Sequence, residues 1–138
     1  MNICHIDHPH FKLQLQLKVF ESDITYPSNT IMTVSVDSDG FCASTEMEVD
    51  IKQLGVFVNN LSSLYSTLNG IAIIQEPYGE EQFIKFSGDG SGHVAVSGKL
   101  TSNNRNDFAQ SLFFENNIDQ TCLQDFVKSL SGICAQYL

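Results

Sequence analysis

Three of the four histidines and one of the four cysteines fall within seven residues, as Cys4, His5, His8 and His10. Imidazole and thiolate ligate late transition metals. The spacing matches no structural zinc pattern, so residues 1–10 are expected as a solvated, His-rich head without a metal. Ser35, Asp37, Asp39, Gly40 and Glu46 stand at positions 1, 3, 5, 6 and 12 of an EF-hand loop. Cys42 at position 8 and strand-like flanks on both sides point to a hairpin turn instead. Gly88-Asp89-Gly90-Ser91-Gly92 superficially resembles a phosphate loop. Such a loop must open a helix whose N-terminus meets the anion, and His-Val-Ala-Val-Ser-Gly, a strand pattern, follows here. The one internal histidine, His93, has Asp89 near it in sequence. A hydrolase or metal enzyme centred on that pair needs a nucleophile and an oxyanion donor, and no G-x-S-x-G elbow supplies them. The expectation is therefore no catalytic residue, no cofactor and no metal.

Carboxylates form the other candidate set. Glu76, Glu80 and Glu81 surround the turn Pro77-Tyr78-Gly79, and Asp37 and Asp39 tip a second turn. With Asp89 and with Tyr78 as an aromatic anchor, they make a candidate edge for docking onto a basic protein surface. The charge balance agrees: 16 acidic residues against seven Lys and Arg give −9, and Arg105 is the single arginine. Nucleic-acid binding requires clustered cations to neutralise phosphates, and an anionic membrane surface would repel this chain. A strongly acidic protein is suited to solubility or to a basic partner.

The elements that must position these groups follow from two periodicities. Phe11, Leu13, Leu15, Leu17 and Val19 alternate with polar residues, which is a strand with one wet face. Residues 30–36 and 41–49 form a hairpin across Asp37-Ser38-Asp39-Gly40. Ile51, Leu54, Phe57, Val58, Leu61, Leu64 and Leu68 then recur at helical spacing. Asp50 with Gln53 forms a capping-box pattern, and Gly70 suits the left-handed position that closes the helix. Gly55 inside it costs about 1 kcal/mol against alanine, a sign of close packing. Strand patterns return at 71–75, 83–87, 93–100 and 108–116. A second amphipathic helix carries Leu123, Phe126, Val127, Leu130 and Ile133, with Thr121 and Gln124 as a capping box beside Asp119.

The expected order is β-β-β-α-β-β-β-β-α. The expected fold is α+β: an antiparallel sheet of about six or seven strands covered by two amphipathic helices, in a single domain spanning 1–138. The length is that of one domain with a real core. No apolar run reaches the roughly 20 residues of a membrane span. The first fifteen residues lack the pattern of an export signal, so a cytoplasmic location with reduced cysteines is expected. Nothing in the sequence sets the oligomeric state.

Three segments carry a family likeness: Leu-Ser-Ser-Leu-Tyr-Ser-Thr-Leu-Asn-Gly from Leu61, Phe-Ser-Gly-Asp-Gly-Ser-Gly-His-Val-Ala-Val-Ser-Gly from Phe86, and Phe-Glu-Asn-Asn-Ile-Asp-Gln-Thr-Cys-Leu from Phe114. The chain resembles the WapI-type immunity protein family from about Phe11 to Leu130. That resemblance implies a small cytosolic antidote to a polymorphic toxin of the WapA or Rhs kind. The C-terminal domains of such toxins are often nucleases, and the antidote binds that domain without chemistry of its own. The alternatives from other classes are the His93-centred enzyme and a structural or regulatory binding module. The G-D-G-S-G-H and D-Q-T segments read as structural: a glycine turn with unusual backbone angles, and a helix cap.

Overall fold

Alternating burial begins earlier than expected. In the computed structural model, which describes residues 2–78 and 82–138, the His-rich segment is strand β1 (Ile3–His8), paired antiparallel with β2 (Phe11–Val19). Cys4 and Ile6 point into the core at 1% exposure, while His5 and Asp7 face solvent. The expected solvated head is thus corrected, because its two apolar side chains lie two residues apart and share one face. β3 (Thr30–Ser38) and β4 (Phe41–Val49) complete a four-stranded meander in the order β1-β2-β3-β4. Helix α1 (Ile51–Thr67) follows. A second meander has the order β5-β6-β7-β8: β5 (Asn69–Gln75), β6 (Phe83–Asp89), β7 (His93–Asn103) and β8 (Ala109–Asp119). A 3₁₀ turn at Gln120–Leu123 leads into α2 (Gln124–Ala135).

The α+β class stands, but the single sheet of six or seven strands is two sheets of four. The two halves repeat one ββββα plan, and their contacts repeat it too. α1 packs on β5 and α2 on β1, each helix against the first strand of the other half, and the helices touch each other. Likewise β4 meets β7 while β8 meets β3. Alternation along a strand shows that one face is wet. It does not show whether the dry face meets a helix or another sheet. Here it meets both. Phe11 of β2 stacks on Phe114 of β8 with ring centroids 5.7 Å apart. Phe86 of β6 lies 6.0 Å from Phe57 of α1 and 6.1 Å from Phe126 of α2. One contiguous hydrophobic core therefore joins both sheets and both helices.

The sheets cross rather than align. Asn116 of β8 donates to Ser38 Oγ and to the His10 carbonyl at the start of this path. Further along β4, Thr45 donates to Gln82 Oε1 at 2.7 Å, and Gln82 donates back to the Glu46 carbonyl at 2.9 Å. At the far end, the Glu48 N–H donates to Glu76 at 3.1 Å. β4 thus runs across the ends of the second sheet, as in orthogonal sheet packing, and the buried Gln82 occupies part of its open edge.

The glycine motif is a junction. Gly90, at φ +88°, donates its N–H to the Leu68 carbonyl at 2.7 Å. A Cβ at Gly88 would stand 2.5 Å from that same oxygen. The segment therefore satisfies the C-terminal end of α1, where carbonyls lack helical partners. Two expected caps are corrected. The residue that ends α1 in the left-handed region is Leu68 (φ 63°), whose N–H bonds Leu64, rather than Gly70. α2 has no side-chain cap, because the 3₁₀ turn places Leu123 at its N-cap instead of Thr121. Asp50 does cap α1, accepting from the Lys52 N–H at 2.9 Å.

The close approach at Gly55 comes from one side-chain tip alone. A Cβ there would come within 2.6 Å of Leu138 Cδ1, yet Leu138 is 63% exposed and its side-chain tip is free to swing away. Gly55→Ala is therefore expected to stabilise the protein by about 0.5–1 kcal/mol through helix propensity. A urea titration checks this; a loss of stability would show Leu138 to be fixed.

Candidate partner-binding surface

The candidate carboxylates separate into two ends of the molecule. Asp37 ends the wet face of β3 and accepts from the Gly40 N–H at 3.0 Å, which fixes the β3–β4 turn. Asp39 sits at the tip in the left-handed region (φ 53°), with its carboxylate 3.6 Å from His10 Nδ1 and mostly exposed. Asp89 ends β6 at the mouth of the β6–β7 turn and accepts from both the N–H and the hydroxyl of Ser91. Those two bonds hold its carboxyl below the usual carboxylate range. Asp7 and Asp119 join this end. Burial raises the pKa of the neighbouring Cys122; a hydrogen bond with the Asp119 backbone opposes that rise, and the charges of Asp119 and Asp7 add to it.

Glu76 and Tyr78 lie elsewhere. Glu48, against which Glu76 is held, is at the far end of β4 from the Asp39 turn. At about 3.4 Å per residue this separates the two groups by roughly 24 Å. Glu76 is half-buried, and it accepts from the Glu48 N–H and from Gln82 Nε2. Tyr78 is 67% exposed. Glu80 and Glu81 lie outside the described residues. Sequence spacing missed the neighbours that the fold assembles here. Glu46 and Glu48 on β4 and Asp50 at the head of α1 border the same end, and the exposed Tyr26 lies in the adjoining loop. A hollow of about 320 Å³ opens between Pro27, Asp50, Gln53, Ile73, Glu76 and Pro77. Only the hydrogen bonding of folded strands brings Glu48 to Glu76, 28 positions away, so no local pattern could have found it.

The chemical alternatives are placed as follows. His93 Nδ1 is 3.9 Å from Asp119, with both side chains about two-thirds exposed. The Asp89 carboxylate is engaged by Ser91. The Cys4, His5, His8 and His10 set is split by the strand pleat, which sends Cys4 inward and His5 outward. Among the described residues no group of three or more His, Cys, Asp or Glu is arranged to hold a metal ion. No described helix is long and apolar enough to cross a membrane.

The candidate carboxylates thus lie at two ends of an α+β chain built of two four-stranded sheets and two helices. The Immunity protein WapI-like family matches residues 5–138, and this chain belongs to that family. No curated protein and no solved structure matches it. Its role is accordingly toxin immunity, which entails binding a cognate toxin.

Proposed function

We propose that this protein is a stoichiometric antidote. It binds the C-terminal domain of a cognate polymorphic toxin in the producing cell's cytoplasm and performs no turnover. The match to an immunity family over nearly the whole chain carries this reading. The net charge of −9 supports a basic toxin domain, most simply a nuclease. A nuclease gathers cations to hold its phosphate substrate, and carboxylates set on rigid turns compete for the same cations. Opposite charges also steer encounter and raise the association rate, an effect that salt screens. Asp37, Asp39 and Asp89 at one end, and Glu76, Tyr78, Glu80 and Glu81 at the other, are the proposed contacts.

Co-expression with the C-terminal domain of the adjacent toxin is expected to restore growth and leave cellular nucleic acid intact. A 1:1 complex is expected whose association slows as salt rises. Absence of rescue would overturn the antidote reading. Asp39→Asn, which removes the charge but keeps a residue suited to the left-handed backbone at φ 53°, and Tyr78→Ala separate the two ends. Glu76 is a poorer probe, because its carboxylate also holds the β4 edge.

A further inference from the structure

The repeated ββββα plan makes the two outer sheet faces comparable, and they differ. The outer face of the first sheet is mostly polar, with His5, Gln14, Ser35 and Ser44 in one cross-strand row and Asp7, Lys12, Asp37 and Cys42 in the next. The outer face of the second sheet carries Ile71, Ile73 and Phe113 at 57%, 43% and 71% exposure, with Phe83 half-buried beside them. Ile71 and Ile73 lie on β5 and Phe113 on β8, with Phe83, Lys85, Ser97 and Lys99 between them, so this face carries exposed apolar side chains toward both edges.

The register of that face is self-complementary about β7. One row reads Ile73, Lys85, Ser97, Glu115 across β5, β6, β7 and β8, and its neighbour reads Gln75, Phe83, Lys99, Phe113. In the first row Lys85 and Glu115 flank Ser97 one strand away on either side. In the second, Phe83 and Phe113 flank Lys99 in the same way. A two-fold axis running along β7 in the plane of contact would turn one such face onto another. It would set Lys85 against the Glu115 of a second copy, and Phe83 against its Phe113, while β5 with Ile71 and Ile73 would lie outside the overlap. The outward residues at the centre of β7, Ala95 and Ser97, are small enough for two sheets to approach. Lys99, the one like-charged residue on that line, leans away from it, its ammonium 5.3 Å from the Phe113 ring centroid. Among the described residues neither Lys85 nor Glu115 has an ion-pair partner.

We infer that a second copy of this chain docks on the outer face of the β5–β8 sheet, forming an isologous dimer about β7. The footprint follows from strand spacings of about 4.8 Å and a rise of about 3.4 Å per residue, and is roughly 450 Å² per protomer. That is small for a permanent interface, so the dimer is weak and reversible.

Sedimentation analysis of the full chain from micromolar to millimolar concentration tests the inference. Wild type is expected to move from monomer toward twice the monomer mass. Ser97→Arg, which places a bulky charge on the axis, and Lys85→Glu are each expected to weaken association at least tenfold. Lys85→Glu combined with Glu115→Lys should restore it, which a merely structural role for either side chain does not predict. Ser44→Arg, on the outer face of the other sheet, should dimerise as wild type does. A wild type that stays monomeric throughout would overturn the inference, as would dimers indifferent to Ser97→Arg. So would a monomeric wild type whose toxin binding is lost in Ser97→Arg, since the face would then belong to the toxin.

Discussion

Asn29→Ala is expected to lower the free energy of unfolding by about 3–4 kcal/mol, more than most single substitutions. The side chain is fully buried (0% exposed) where β3 begins. Its amide donates to the carbonyls of Ile24 and Tyr26 and to the Asp50 carboxylate. Its oxygen accepts from Thr30 Oγ1 at 2.9 Å and from the Ile51 N–H at 2.8 Å. One residue thereby ties the loop after β2 to the head of α1. Truncation strands a buried helix N–H and a buried hydroxyl, each at a cost of about 1–3 kcal/mol. It also releases the carboxylate that caps the helix. Urea unfolding measures the loss. Asn29→Asp is the sharper control: it keeps the shape and both acceptor bonds, but it replaces the donors with a charge beside Asp50. It is expected to be as damaging as alanine and to recover part of the loss in acid. A change below about 1 kcal/mol for either variant would show the network to be incidental.

No sequence signal marked Asn29, which sits in a polar loop where asparagine is commonplace. Its importance comes from Asp50 and Ile51, more than twenty positions away, and tertiary folding alone brings those to it. The strands were more legible. In β2 every second residue is apolar, and the observed burial follows that alternation from Phe11 to Leu17. β1 has the same period, but it is written in Cys4, His5, Ile6 and Asp7. Its thiol and imidazoles advertise chemistry, which hides that Cys4 serves as a small hydrophobe. The repetition of ββββα was invisible, because the missing first strand broke the symmetry. The charge balance was plain from the sequence. The grouping of the charges was not, since β4 holds Asp39 and Glu76 at opposite ends and only strand pairing reveals it.

Two buried thiols, Cys4 on β1 and Cys134 on α2, make the protein's stability sensitive to alkali. Cys4 is 1% exposed and Cys134 is 4% exposed. Burial pushes Cys4 from the ordinary 9.0 to about 12, with the neighbouring Cys134 adding to the rise, and burial pushes Cys134 to about 11. The folded chain thus holds these protons after the unfolded chain has released them. The contribution is fully present below pH 9 and is lost as pH climbs through the folded values. Above pH 9 each thiol is expected to remove about 1.4 kcal/mol per pH unit. By pH 10.5 that amounts to roughly 2 kcal/mol per thiol, a large part of the stability of a domain this size. Tyrosine and lysine titrate in the same range, so the comparison must be internal. The Cys4→Ala, Cys134→Ala double variant has a smaller core and is less stable at pH 8. Its stability should nevertheless fall less steeply between pH 9 and 10.5 than that of wild type. Equal slopes would mean that the thiols ionise as freely in the folded protein as in the unfolded one, which a sealed contact between β1 and α2 does not permit. A steeper wild-type slope means instead that this contact stays dry and closed until the whole fold opens. The N-terminal strand is then as much a part of the cooperative core as the sheet it borders.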